Sequence, residues 1–145
     1  MYVCPSNVNF INTMIIMKKI IYLVLLSLIT GLVAQAYEKT GEWNGCDRYD
    51  FTFKDRQATI VVPKKAAKGN PWIWRPAFFD AFPSVDKALL EKGFHIVYYD
   101  VTHLYGSPRA VSLGTEFYEN MTDLYNLSEK VTLEGFSRGG LFVFN

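Results

Sequence analysis

Hydrophobic and polar positions along this chain change period several times, and each change marks an element. Over Tyr49-Asp50-Phe51-Thr52-Phe53 aromatic and polar residues alternate with period two, which predicts a half-buried strand. Lys54-Asp55-Arg56 is a polar turn. The β-branched run Ala58-Thr59-Ile60-Val61-Val62-Pro63 then predicts a second strand, antiparallel to the first. Lys64 to Asn70 is a basic, glycine-containing loop, and Pro71-Trp72-Ile73-Trp74-Arg75 is a short apolar strand stopped by Pro76. The period then lengthens. Ser84 can cap a helix running to Lys92, with Val85, Ala88 and Leu89 on one face and Gly93 as its stop. Phe94-His95-Ile96-Val97-Tyr98-Tyr99 is apolar on both faces, which suits a parallel strand covered on both sides.

After a loop from Asp100 to Pro108, a longer helix is predicted from about Arg109 to Leu127, with Leu113, Phe117, Met121 and Leu124 on one side. Lys130 to Glu134 is a further strand. Gly135 to Gly140 turns sharply, and Leu141-Phe142-Val143-Phe144 begins a helix expected to be buried. Strand-like and helix-like segments alternate, so the fold class is α/β: an antiparallel start, then parallel strands with flanking helices. A helix entered at Gly139 and left at Asn145 has few partners to bury against. The expectation is therefore a partial sheet, truncated just after the Gly135–Gly140 turn.

The N-terminal part has a different pattern. Met17-Lys18-Lys19 is followed by an apolar stretch from Ile20 to Val33 and then Ala34-Gln35-Ala36. This is the order of a basic region, an apolar region and an A-x-A cleavage site, and no acidic residue precedes Glu38. The apolar stretch is shorter than the roughly 20 residues of a spanning helix. The expectation is a signal peptide over 17–36, cleaved before Tyr37, giving an exported, periplasmic or secreted chain with no stable membrane anchor afterwards. An uncleaved anchor is the alternative. Residues 1–16 then read as an upstream extension, with Met17 or Met14 as the true start, and 37–145 as the folded domain.

Composition narrows the function classes. Half the chain is hydrophobic and 16% aromatic, enough for a core and unlike a disordered sequence. Over 37–145 thirteen basic residues face fourteen acidic ones, a net charge of −1, and the basic residues are scattered. That gives no electrostatic case for a nucleic-acid partner. Of the two cysteines, Cys4 precedes the signal, so Cys46 has no disulfide partner in the domain. With one cysteine and two distant histidines there is no metal-ligand spacing, and no cofactor motif appears. Oligomeric state is not legible.

The segment that carries chemistry is Gly135-Phe136-Ser137-Arg138-Gly139-Gly140, a G-x-S-x-G pattern between a predicted strand and a predicted helix. The context matters more than the pattern. A serine at the tip of so tight a turn takes a positive φ, and glycines two residues to either side let the two limbs approach. A loop serine in a nucleotide-binding sheet is the alternative. Such a loop normally follows the first strand of its sheet, not the fourth or fifth.

On these residues the chain resembles the α/β-hydrolase family, over Tyr49 to Asn145. Asp100-Val101-Thr102-His103-Leu104-Tyr105-Gly106-Ser107 is similar to the family's loop after the strand preceding the elbow, with His103 where an arginine often stands. W-x-W-R at Trp72–Arg75 and G-x-S-R-G-G resemble more narrowly a group of secreted bacterial hydrolases. The resemblance implies that Ser137 is a nucleophile and that the backbone N–H of Arg138 is one oxyanion donor. The second donor would come from the loop after Trp74, from Arg75 or Ala77, because Pro76 has no N–H. The common H-G-G-G of that loop is absent. The Arg75 side chain could instead contact substrate, or form a structural ion pair at a strand end.

His103, Trp74 and Ala77 are candidate pocket residues, whereas His95, inside a strand, reads as a core histidine. Trp43, Trp72, Trp74, Phe78, Phe79 and Phe82 read as core or as a sugar-binding surface. The triad also needs a histidine and an acid, which in this family follow the serine. None follows Ser137 here. The function expected is a serine hydrolase acting on small-molecule or carbohydrate esters, inactive as this fragment. The alternatives are a prolyl-oligopeptidase-like peptidase and a non-catalytic truncated fragment or binding module.

Overall fold

In the computed structural model, residues 14–22 and 38–145 are described. The chain divides into two units, Met1–Ala36 and Tyr37–Asn145. In the first, residues 14–22 form a helical stretch with exposed side chains. Most of the expected signal segment, including Ala34-Gln35-Ala36, lies outside the described residues, as does most of the expected upstream extension. Among the described residues no helix is long and apolar enough to cross a membrane.

The second unit is a six-stranded mixed sheet with flanking helices. It opens with two tight hairpins. Strands β1 (Gly41–Trp43) and β2 (Cys46–Phe53) are joined by Asn44-Gly45, whose φ values are 49° and 70°. Lys54-Asp55, at 48° and 60°, join β2 to β3 (Arg56–Val62). Two consecutive positive φ values are what a two-residue hairpin of matching twist requires. β3 then pairs antiparallel with β5 (His95–Tyr99). β4 (Trp72–Arg75) pairs parallel with both β5 and β6 (Val131–Leu133). The order across the sheet is β1-β2-β3-β5-β4-β6.

Strand alternation sorts the core into two faces. Trp72 and Trp74 point one way, with Val97, Tyr99, Ala58 and Ile60, and are covered by α2 (Pro108–Tyr125) through Ala110, Leu113, Phe117 and Met121. Ile73 points the other way, with Val61, Ile96, Cys46 and Trp43, and meets Leu90 of α1 (Ser84–Glu91). Arg75, two residues beyond Ile73, falls on the α1 face by the same period. The α2 side is an aromatic stack: Phe117 lies 4.3 Å from Tyr99, nearly coplanar, and 5.4 Å from Trp74.

Several expectations are corrected. β1, three residues long, is a strand that the residue pattern does not predict; only the Asn44-Gly45 dipeptide signals it. Ser84 is the first helical residue of α1, not its cap, which is Pro83. The buried positions of α1 are Asp86 and Leu90, while Val85 is half exposed. The helix is rotated because Asp86 is drawn inward to the buried Arg75 guanidinium. Leu124 does not continue the buried stripe of α2 and is 72% exposed. Asn126, at φ 53°, ends the helix in the left-handed region, and Leu127 is buried instead. The last helix, α3 (Gly139–Val143), is entered at Gly139 as expected but is not buried: Leu141 and Phe144 are exposed. Gly93 does end α1, at φ 87°, packed so closely that a Cβ would stand 2.6 Å from Ala67 N.

Candidate active site

Ser137 lies on the strand-to-helix turn between β6 and α3. Glu134 N–H donates to Trp74 O at 3.0 Å, carrying the β4–β6 pairing one step past the end of β6. The chain then reverses. Gly139 N–H donates to Phe136 O at 2.8 Å and Gly140 N–H to Ser137 O at 3.0 Å. Ser137 itself has φ 50° and an exposed side chain. A side chain at Gly135 would place its Cβ 2.8 Å from Gly140 Cα, so the two limbs of the turn touch there. The same construction at Gly139 falls 3.2 Å from Ala77 Cβ and 3.8 Å from Ala77 N. The segment after β4 therefore lies against the start of α3. Among the described residues, the N–H groups of Arg138 and Ala77 donate to no protein acceptor.

The winding of the sheet puts these groups on loops that leave two neighbouring strands at the same end. β4 and β6 are neighbours, but the chain leaving β4 goes to α1 on one face. The chain leaving β6 goes to α3 on the other, where Phe142 packs 5.1 Å from Trp74. Where adjacent parallel strands send their loops to opposite faces, a crevice opens at their carboxyl ends. Ser137 and Ala77 are on the two loops that leave β6 and β4. Arg75 is two residues further back, inside β4.

The Arg75 side chain is not available to a substrate. It is 1% exposed and ion-paired with the equally buried Asp86, and its Nη2 donates to Ala81 O at 2.8 Å. Its Nε lies 3.5 Å from Glu134 Oε2. Of the two expectations for this side chain, the structural ion pair is what the geometry contains. Burial, reinforced by a hydrogen bond to Asp86 and by its charge, pushes the Glu134 carboxyl up to about 7, against the pull of Arg75. Asp86 Oδ1 and Glu134 Oε2 are both buried and receive no hydrogen bond when both groups are ionised. A proton held on Glu134 removes that conflict. Arg75, Asp86 and Glu134 thus tie together the loop after β4, α1 and the approach to Ser137.

The remaining candidates are separated. Trp74 is a core side chain, stacked 6.0 Å from Trp72 and packed on Phe117; the cavity it borders is shared with Val111, Gly114 and Phe142 and is not lined by Ser137. His103 is exposed on a one-turn 3-10 helix, Thr102–Leu104, and makes no hydrogen bond among the described residues. Its loop nevertheless reaches the turn, because Arg138 Nη1 donates to Tyr105 Oη at 3.4 Å. His95 is buried, with Nδ1 3.3 Å from Pro71 O, and burial lowers its pKa. Neither histidine is hydrogen-bonded to Ser137. Sequence reasoning missed Asp86 and Glu134. The one available signal was an acidic residue closing an apolar strand three positions before the serine.

No family model matches the chain, and no curated protein matches it. Among solved structures, it is similar to Candida antarctica lipase A in its closed state, at 19% identity and a TM-score of 0.43. The likeness covers 68% of this chain and 31% of the lipase, so the chain spans less than a third of that protein's length.

Proposed function

We propose that this chain supplies the nucleophile-bearing part of an α/β-hydrolase-type serine hydrolase, acting on carboxylic esters through Ser137. The observation that carries the reading is the exposed Ser137 at φ 50° on a strand–turn–helix corner, with the unspent N–H of Arg138 next to it and that of Ala77 beside Gly139. In this reading Ser137 Oγ attacks the ester carbonyl carbon, and its proton passes to a general base and then to the departing alcohol. The carbonyl oxygen, negative in the tetrahedral intermediate, is held by the N–H groups of Arg138 and Ala77. Water then attacks the acyl-serine and releases the acid. Ala77 rather than Arg75 is the second donor, because it lies beside Gly139.

A serine hydroxyl is a weak nucleophile without a base. With His95 buried and His103 unbonded, the base and its orienting acid come, in this proposal, from residues other than these two histidines. The basic and apolar N-terminal segment would export the protein.

The test is fluorophosphonate labelling of the longest protein that carries this chain, with a Ser137→Ala control. The expected result is labelling that the substitution abolishes; equal labelling of both removes Ser137 from the mechanism. A second reading, a binding pocket without turnover, is favoured by the absence of any hydrogen bond from a histidine to Ser137. It predicts no labelling at all together with retained ligand binding.

A further inference from the structure

Three loops that meet at the Ser137 turn carry aromatic side chains to the surface. Phe78 and Phe82 follow β4, Tyr105 follows β5, and Phe136 is in the turn itself. The Phe136 ring lies 5.2 Å from that of Phe82 and 5.9 Å from that of Phe78. Phe82 is 76%, Tyr105 55% and Phe136 38% exposed. Single exposed apolar residues need no explanation, but a contiguous group beside a candidate nucleophile marks a contact surface. Phe78, Phe82 and Tyr105 also hold positive φ values of 54°, 52° and 50°. Bulky side chains rarely adopt that region, because Cβ crowds the backbone there. In this protein the strained aromatic positions converge on the same corner as Ser137.

Arg138 completes the group. Its guanidinium carbon is 5.4 Å from the Phe78 ring centre and 5.7 Å from that of Tyr105. A guanidinium has five N–H donors. Here the Tyr105 hydroxyl is its one acceptor among the described residues, and no carboxylate there lies within ion-pair distance. The other arginine of this corner, Arg75, is buried and spent on acids. Arg138 is the opposite: a planar cation held against two rings, with most of its edge unanswered.

We infer that this collar is the specificity subsite of the Ser137 site, and that it takes an ester flanked by an aromatic ring bearing an oxyanion such as a carboxylate or phosphate. The inference rests on the hydrolase reading above and narrows its substrate class. A ring would stack among Phe78, Phe82 and Phe136, and the oxyanion would accept from the guanidinium edge, a geometry suited to two parallel hydrogen bonds. A neutral aliphatic acyl group would leave that edge unanswered, and an unsubstituted sugar would bring no charge to it.

Equilibrium binding tests this without requiring turnover. Phenylphosphonate, methylphosphonate and benzyl alcohol are titrated calorimetrically into the chain. Phenylphosphonate is expected to bind about tenfold more tightly than either of the others, the ratio that one ring contact or one charge contact provides. Arg138→Gln should lower its affinity about tenfold and leave benzyl alcohol unchanged. Phe82→Ser should bring it to the level of methylphosphonate, and Lys130→Ala, removing an exposed cation elsewhere, should change nothing. Equal affinity for the phenyl and methyl compounds would overturn the inference, as would wild-type affinity in Arg138→Gln. Concentration-dependent dimerisation that Phe82→Ser abolishes would also overturn it, by assigning the rings to a second copy of the chain. Equal fluorophosphonate labelling of the Ser137→Ala protein would defeat the nucleophile reading alone, since binding does not depend on the hydroxyl reacting.

Discussion

Glu134→Gln isolates the electrostatics beneath the serine turn. The Glu134 carboxyl is raised from 4.5 to about 7 by burial and by Asp86. The folded chain therefore holds this proton more tightly than the unfolded chain does. Between about pH 4.5 and pH 7 the unfolded state has lost its proton while the folded state retains it, so stability falls as pH rises through that window and the loss is complete above it. Each tenfold gain in proton affinity is worth about 1.4 kcal/mol, so the whole rise would approach about 3 kcal/mol. The side chain is 23% exposed, and solvent screening reduces the expected loss to about 1–2 kcal/mol. Glutamine keeps the shape, carries no charge and can donate to Asp86, so it imitates the protonated acid. Urea unfolding followed by fluorescence of the buried Trp72 and Trp74 gives the free energies at pH 5 and pH 8. The wild type should lose about 1–2 kcal/mol more than Glu134→Gln over that interval, and the variant should be the more stable at pH 8. Burial also lowers the pKa of His95, but that effect is common to both proteins and drops out of the difference. Parallel pH profiles would refute the reasoning.

Other outcomes follow from the same packing. Arg75→Met should cost about 3–5 kcal/mol by urea unfolding, because Asp86, 1% exposed, is left without a partner. Met121→Ala should cost about 2–5 kcal/mol and Leu124→Ala under about 0.5, although both fit one helical face, since only Met121 is fully buried. Gly135→Ala drives a methyl into Gly140 at 2.8 Å and should lose about 1–3 kcal/mol together with fluorophosphonate labelling, even though Ser137 is untouched.

Local chemistry made much of the architecture legible. Strands β2 to β5 announce themselves by alternation or by β-branched and aromatic runs, and Gly93 marks the end of α1 because only a positive φ fits there. What was not legible depends on partners far along the chain. The inward face of α1 is chosen by Asp86, whose partner Arg75 is eleven residues earlier on another element, and no helical period contains that information. Leu124 fits the stripe of α2 but lies next to the left-handed cap at Asn126, where the chain turns away. The site divides in the same way. The serine turn is a six-residue pattern and can be read directly. The aromatic collar is assembled from Phe78, Phe82, Tyr105 and Phe136, on three loops that only the strand order brings together.

That strand order also explains why a structural cluster lies under a chemical one. β4 is central among the parallel strands, and the chain crosses from one of its sides to the other between β5 and β6. Its carboxyl end is therefore the place where segments from both faces meet. A residue there can point to the α1 face, as Arg75 does, and find acids from α1 and from the end of β6. Two residues later the same segment supplies Ala77, against the start of α3. The position of Ala77 relative to Ser137 is thus set through Arg75, Asp86 and Glu134. Disturbing that buried charge balance should move the N–H groups of Ala77 and Arg138 before it unfolds the sheet. A Glu134→Gln protein that is more stable at pH 8 yet labels at the wild-type rate would show that the balance governs stability alone; a changed rate would show that it also sets the geometry at the serine.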